Sequence, residues 1–258
     1  MRRLVFVLAL LAALVIHFEV KAQRDEVVDS VENLIIYSNE KYGHVLAHSN
    51  GIGLGYRTGK NINSFRTRMW SFEAVTMRSG KEVKILNPYW QNAKRYVYGK
   101  LNDVVLIRAG YSNQYLLNRK PYWGGVELHW LYEAGLSTAV KKPYYLFVFK
   151  IVNASSSGIT YEIVPSRFDE SSQSTEDIYG RAPFTKGLNE IQLVPGAYAK
   201  LGLNFEFGNV RTATKAAEIG VALDFFPQSV NIMADSQDRV FFLNFYIAYA
   251  FGKRFNKY

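Results

Sequence analysis

The sequence predicts an all-β protein, a closed antiparallel transmembrane β-barrel of about eight strands, with ten as the alternative count. One observation is an N-terminal export signal. The second is a recurrent period-2 alternation of large apolar residues with polar or small ones. The third is that no other stretch of about 18 apolar residues follows the signal, so the mature chain has no candidate transmembrane helix.

The export signal occupies residues 1–22. Arg2 and Arg3 precede an apolar run, Leu4 to Phe18, and Val20-Lys21-Ala22 ends in the small-residue pattern of a cleavage site. An uncleaved anchor helix is the alternative, but the run is short for a membrane span. Cleavage would lower the formal net charge from +9 to +7, because it removes three cations and one carboxylate. The positive charge of an exported chain suits an anionic lipopolysaccharide surface, or it serves only solubility. An exported chain is not expected to bind nucleic acid.

The mature chain divides into two predicted parts. Residues 23–42 form an N-terminal periplasmic segment, as a short helix or an extra strand at Leu34 to Tyr37, and residues 43–258 form the barrel. The chain contains no cysteine, which excludes disulfides, thiol catalysis and cysteine-ligated metal centres.

Eight segments carry the alternation. In Gly196–Gly208, for example, Leu201 and Leu203 share one face and Lys200 lies on the other. The predicted strands are His44–Thr58, Phe65–Met77, Val104–Leu116, Gly124–Val140, Tyr144–Val152, Gly196–Gly208, Ala213–Phe226 and Arg239–Phe251, with Ile159–Val164 as an extension or a ninth strand.

This pattern fits two environments. A soluble sandwich buries the apolar face, whereas a membrane barrel turns it to lipid and encloses the polar face. The export signal, the length of the apolar faces and the aromatic residues near the segment ends favour the membrane. Short turns at 141–143 and 208–211 and long connections at 165–195 and 227–238 fit an outer-membrane barrel. The long stretch 79–102 does not, because this strand count puts it on the periplasmic side, so either the count is off by one or the stretch is a periplasmic excursion or plug.

The enclosed face of these strands carries ionisable residues of both signs. Because an eight-stranded barrel is just wide enough to be filled by side chains, they predict a network of paired charges. The predicted network comprises Glu73, Arg108, Glu127, His129, Glu133, Lys200, Glu206, Glu218 and Asp224. A competing hypothesis makes His129 the base of a lipid-A-modifying hydrolase, oriented by Glu127 and completed by a serine of a neighbouring strand.

Other motifs favour structural interpretations, and no metal or cofactor is expected. His44 and His48 are about 13 Å apart on a strand, too far to share one ion. Gly51, Gly53 and Gly55 lack the spacing of a phosphate loop and instead make room for a bulky interior side chain or bend a strand. The basic and aromatic stretch 81–100 is interpreted as a solvated loop or a surface for headgroups, glycan or a partner.

With its signal peptide, absence of cysteine, alternating strands and aromatic last strand, the sequence resembles the small outer-membrane β-barrels of Gram-negative bacteria. The stretches His48-Ser49-Asn50-Gly51, Lys81-Glu82-Val83-Lys84, Asn87-Pro88-Tyr89 and Tyr98-Gly99-Lys100-Leu101-Asn102 are similar to uncharacterised barrels of the Bacteroidetes. The resemblance implies an outer-membrane location and brings no catalytic residues. Barrels of this kind often end on an aromatic residue, which here is Phe251 or Tyr258.

The predicted function is that of a non-enzymatic integral outer-membrane barrel with a largely filled interior and a structural or interaction role in the cell envelope. The expected partners are outer-membrane lipid, including lipopolysaccharide, and other envelope proteins. A lipid-A-modifying enzyme, a narrow channel and a soluble periplasmic β-sandwich binding protein remain the alternatives.

Overall fold

The structure is a computed structural model that describes residues 37–90, 93–119, 125–155, 158–169, 173–208, 212–234 and 239–256. The predicted signal peptide, the helix or strand expected before residue 37, and Tyr258 lie outside these ranges. Within them, no helix is long and apolar enough to cross a membrane.

Within the described residues the regular structure consists of thirteen strands and one short 3-10 helix, Leu188–Glu190. In chain order the strands are β1 (Asn39–His48), β2 (Gly51–Asn63), β3 (Arg66–Met77), β4 (Lys84–Ile85), β5 (Tyr96–Val97), β6 (Asn102–Asn118), β7 (Glu127–Pro143), β8 (Tyr145–Ser155), β9 (Gly158–Arg167), β10 (Ile178–Arg181), β11 (Gln192–Glu206), β12 (Ala213–Phe225) and β13 (Phe241–Phe255).

Eight of these strands close into an antiparallel barrel, in the order β1-β13-β12-β11-β7-β6-β3-β2. The first and last barrel strands complete the closure, with Asn39 opposite Phe255 and His48 opposite Tyr246. Closure pairs the backbone of every barrel strand on both sides, so the barrel has no free sheet edge. The predicted fold class and the count of eight are confirmed.

The two faces of the barrel strands differ as the alternation predicts. On the outside, Phe245 is 66% exposed, whereas Lys200 and Glu218 are 1% and 0% exposed inside. The glycines of β2 follow the same geometry, because a Cβ on Gly55 would stand 2.3 Å from the imidazole of His44. Apolar side chains therefore surround the middle of the barrel, and the ionisable side chains at that level are enclosed.

The two ends of the barrel carry connections of different length. The end that holds Asn39 and Phe255, called the terminal end, has the connections 64–65, 119–126 and 207–212. The other end, called the loop end, has one tight turn at 49–50 and the connections 78–101, 144–191 and 226–240. The stretch 79–102 thus lies at the same end as the other long connections. Of the two explanations left open for it, an error in the strand count up to that point is therefore the correct one.

The misplacement follows from two errors in the predicted strands. His44–Thr58 is not one strand, since it contains the turn between β1 and β2, and β1 begins four residues before the predicted barrel boundary at residue 43. Tyr144–Val152 is not a barrel strand, because β8 pairs with β9 and β10 in a separate sheet. The first error merges two barrel strands into one, and the second adds a strand that is not in the barrel. The total therefore stays at eight, but the connections between these two positions are assigned to the wrong end of the barrel.

The long connections fold into a cap at the loop end. It contains the sheet β10-β8-β9 and the hairpin β4-β5, which pack around Tyr96, Leu146 and Ile178. Asn87 connects the β4-β5 hairpin to the three-stranded sheet, since its side-chain nitrogen donates to the backbone oxygens of Ile178 and Glu176 at 2.8 and 3.1 Å. The basic and aromatic stretch 81–100 is therefore part of this cap.

An apolar cluster joins the cap region to the inside of the barrel. The connection between β12 and β13 returns toward the strands, and Leu101 donates its backbone N–H to the carbonyl of Ile232 at 2.9 Å. Inward residues of the strands meet this connection, in a cluster that includes Leu46, Val75, Leu106, Ala139, Phe226, Val230, Ile232 and Met233.

Candidate functional site

Arg57 lies within a group of ionisable side chains inside the barrel. It is fully buried and stands among three carboxylates. Its Nη1 donates to Glu218 at 2.6 Å, its Nε donates to Glu133 at 3.1 Å, and its Nη2 lies 3.4 Å from Glu73. These three glutamates come from β12, β7 and β3, so one guanidinium on β2 links four strands.

Glu73 is the second shared residue of this group. Its Oε1 accepts hydrogen bonds from Lys200 Nζ at 2.6 Å and from His44 Nε2 at 2.9 Å, and its Oε2 accepts from Arg108 Nη1 at 3.3 Å. A carboxylate can accept about four hydrogen bonds, so Glu73 is close to saturated.

Arg108 extends the group toward the loop end. It forms a two-point pair with Asp224, at 2.9 Å from Nε and 2.6 Å from Nη2. Ser137 donates its hydroxyl to the same carboxylate at 3.2 Å. Paired forks of this kind are the strongest common form of ion pair in proteins.

Two tyrosines reach into the group from the wall. Tyr198 donates its hydroxyl to Glu133 at 2.6 Å, and Tyr246 donates to Glu218 at 2.8 Å. The strand glycines leave space for these rings, since a Cβ on Gly110 would stand 2.4 Å from the Tyr198 hydroxyl and one on Gly202 would stand 2.4 Å from that of Tyr246.

The charges of this central network nearly balance. Four carboxylates, Glu73, Glu133, Glu218 and Asp224, face the permanent cations Arg57, Arg108 and Lys200, with the imidazole of His44 beside Glu73. Enclosed charges are tolerated when each has a partner of opposite sign and its remaining hydrogen bonds are satisfied.

Six of the nine predicted residues belong to the central network, and the other three lie toward the terminal end. Glu206 accepts from Arg254 at 2.6 Å, and the same guanidinium lies 3.4 Å from Glu40. Glu127 and His129 pair with each other at 3.1 Å. In the described part of the chain the other ring nitrogen of His129 has no hydrogen-bond partner, so no described serine completes the predicted hydrolase triad.

Sequence reasoning missed several members of the central network. In the sequence Arg57 continues the period-2 series of Gly51, Gly53 and Gly55, and this shared inward face is the signal that could have included it. His44 was considered only as a metal ligand together with His48. The structure separates their roles, because His44 pairs with Glu73 while His48 Nε2 lies 3.0 Å from the backbone oxygen of Thr76. Among the described residues no group of three or more ligand-type side chains is arranged to hold a metal.

The outer surface of the barrel is the second functional feature. Large apolar side chains are exposed on every barrel strand or its immediate end. They include Val45, Leu54, Trp70, Ile107, Leu136, Leu201, Ile219, Leu223, Leu243, Phe245, Ile247 and Phe251. We call this surface the apolar belt. Water-soluble monomers rarely expose contiguous apolar surface on this scale.

No protein-family model matches the chain, and no curated protein matches it. Among solved structures the chain is similar to Neisserial surface protein A, at 8% identity and a TM-score of 0.39, over 85% of this chain and 97% of that one. It is also similar to Ail, the attachment invasion locus protein of Yersinia pestis, at 12% identity and a TM-score of 0.35, over 84% and 95%. Ail in complex with the heparin analogue sucrose octasulfate gives 12% identity and a TM-score of 0.36, over 86% and 100%. The fold assignment itself comes from the strand pairing of this chain.

Proposed function

We propose that the protein is an integral outer-membrane barrel with a structural or interaction role in the cell envelope, its interior closed by side chains and its cap displayed outside. The observation that carries the proposal is the apolar belt around a closed barrel that encloses the central network. A soluble sandwich would have the opposite arrangement, with the apolar face inside.

The height of the belt fits an outer membrane. Outward residues of β13 run from Phe241 to Phe251, a distance of about 33 Å at ~3.3 Å per residue. Barrel strands tilt by roughly 35–45° from the axis, which reduces this length to about 23–27 Å along the membrane normal. The apolar band of outer-membrane barrels is about 25 Å tall.

The connections support an orientation. Barrels of this class keep short turns and both termini on the periplasmic side and longer loops outside. The terminal end would face the periplasm, and the cap, with its exposed Tyr89 and Trp90, would face the exterior. Partner binding through the cap is part of this proposal.

The interior supports a closed barrel rather than a channel. The central network crosses the barrel from wall to wall, and the apolar cluster of Phe226 and Ile232 lies on its loop side. Hydrated ions would have to break buried ion pairs and pass an apolar layer, both of which are costly.

Gel mobility of the detergent-extracted protein tests membrane insertion. A folded barrel resists SDS until it is boiled, so the unheated and heated samples should migrate differently. Release of the protein from envelopes by salt or alkali without detergent, together with a single mobility, would contradict the proposal.

Planar-bilayer recordings of the refolded protein test closure. We expect no steady conductance from the native chain. A reproducible conductance step that grows with salt concentration would show an open channel instead, without affecting the membrane assignment.

A further inference from the structure

The terminal end of the barrel carries a row of outward cations. Going around the barrel, the neighbouring strands β12, β13, β1, β2 and β3 each contribute one: Lys215, Lys253, Lys41, Lys60 and Arg68. We call this row the basic rim. Adjacent strands are about 4.8 Å apart, so the row spans roughly 20 Å of the circumference.

Two of the contacts within the basic rim join like charges. Lys41 lies directly opposite Lys253, and Lys60 lies directly opposite Arg68. Like charges at directly opposed strand positions destabilise a sheet unless an anion lies between them. The arrangement therefore calls for a counter-charge from outside the barrel.

The chain does not supply this counter-charge from the described residues. None of the five cations takes part in the ion pairs found there. The acidic residues of the barrel strands point elsewhere: Glu40, Glu73, Glu133, Glu206, Glu218 and Asp224 are buried inside, Glu127 pairs with His129, and Asp103 lies at the loop end.

The position of the basic rim identifies its partner. Each cation lies next to outward apolar residues of its own strand. Lys253 is two residues from Phe251, and Arg68 is two residues from Trp70. The others lie within four residues of an exposed apolar side chain. Two residues span about 7 Å, which is the depth from the hydrocarbon edge into the headgroups. Long basic side chains at that level keep their stems in the apolar layer and their charges among the headgroups.

We propose that the basic rim binds the phosphates of anionic phospholipids in the periplasmic leaflet of the membrane. This inference rests on the proposed membrane insertion, since a soluble protein would not place these cations beside hydrocarbon. It adds a preference for headgroup charge that the apolar belt alone cannot provide, and it places that preference on one side of the barrel.

The test measures lipid selectivity of the full chain in vesicles of phosphatidylcholine mixed with phosphatidylglycerol. A background that retains only Trp70, with Trp90, Trp123 and Trp130 replaced by Phe, reports on lipid beside the basic rim. Quenching of Trp70 by brominated phosphatidylglycerol is compared with quenching by brominated phosphatidylcholine. We expect a preference for the anionic lipid on the order of fivefold for each cation that engages a phosphate, and weaker at high salt.

The rim variant replaces all five cations by Gln, and it should lower the preference to about one, since ~1 kcal/mol per cation is lost. A second variant, Lys41→Gln with Lys253→Gln, should give an intermediate lipid preference. It keeps the test usable if the variant with five substitutions folds poorly. The matched control changes five exposed cations of the cap to Gln and should leave the preference unchanged; these are Lys84, Lys94, Arg95, Lys150 and Lys186.

The outcomes separate this inference from the membrane proposal. A native chain that inserts into both kinds of vesicle but shows equal quenching by the two lipids overturns the lipid site and leaves insertion standing. Equal loss of preference in the rim variant and the cap control also overturns it, because net charge would then be sufficient. A native chain that inserts into neither vesicle overturns both proposals.

Discussion

Replacement of Arg57 by Met tests whether the enclosed charges stabilise the barrel as a network. Arg57 is fully buried, and its guanidinium contacts Glu218 at 2.6 Å and Glu133 at 3.0 Å. Met preserves much of the stem volume but leaves the four carboxylates of the central network facing only two permanent cations. Removal of one partner from a buried ion pair typically costs about 3–5 kcal/mol.

An independent calculation gives the same magnitude. The folded variant can restore its charge balance by protonating one glutamate. With an ordinary pKa of about 4.3 and 1.36 kcal/mol per unit, this costs about 3.7 kcal/mol at about pH 7. At about pH 5 the same protonation costs only ~1 kcal/mol, because the pH is then less than one unit above the ordinary pKa of the carboxyl. The destabilisation by Arg57→Met should therefore shrink as the pH falls.

The assay is reversible urea unfolding of the barrel in lipid vesicles, followed by tryptophan fluorescence at both pH values. Arg95→Met is the matched control, since this arginine is exposed on the cap, and its effect should stay within about 0.5 kcal/mol. A loss below about 1 kcal/mol for Arg57→Met at neutral pH, or a loss that does not change with pH, would refute the reasoning.

Three further predictions address packing, lipid contact and the cap. Gly55→Ala should lower the free energy of unfolding by about 1–3 kcal/mol in the same urea assay, because the new Cβ would stand 2.3 Å from the imidazole of His44. Gly80→Ala is the control and should change this free energy little, because a Cβ there would have nothing within 4 Å. Phe245→Lys should cost about 2–4 kcal/mol in vesicles, since this side chain is 66% exposed midway along the apolar belt, and an unchanged midpoint would contradict its lipid contact. Hydrogen bonds donated by Arg167 and Tyr145 lower the pKa of Glu190, so the contact is complete at neutral pH and is lost as the pH falls through that lowered value. Carboxyl NMR titration should show this lowered pKa in the native chain and a higher one, closer to the ordinary value, in Arg167→Gln, because the hydrogen bond from Tyr145 remains.

The assignment of side chains to faces could be predicted from the sequence because the strand period is two and the environments inside and outside differ. The turn between β1 and β2 was missed although it left a signal. The outward apolar residues change from odd numbers, such as Val45, to even ones, such as Leu54, and this phase change excludes a single regular strand and fits a two-residue turn between them. The segment around β8 also left a signal, since Tyr145 and Leu146 make both faces apolar, which suits a packed cap and not a wall with a polar interior.

Among the ion pairs of the central network, only that of Glu73 with Arg108 joins directly opposed strand positions, so the other partners could not be predicted from the strand register. Lys200 lies opposite Glu133 across the β11–β7 ladder, yet its amine bonds Glu73, which is on a strand two positions further around the barrel. Arg57 bonds its register neighbours Tyr42 and Ser71 at 3.3 and 3.4 Å, but its closer contacts are Glu218 and Glu133 on other strands. Because an eight-stranded barrel is only about as wide as two facing side chains, an inward cation reaches the opposite wall as readily as its own neighbour. The pairing therefore depends on barrel closure, strand tilt and the glycine gaps together, and it exists only once all eight strands are in place.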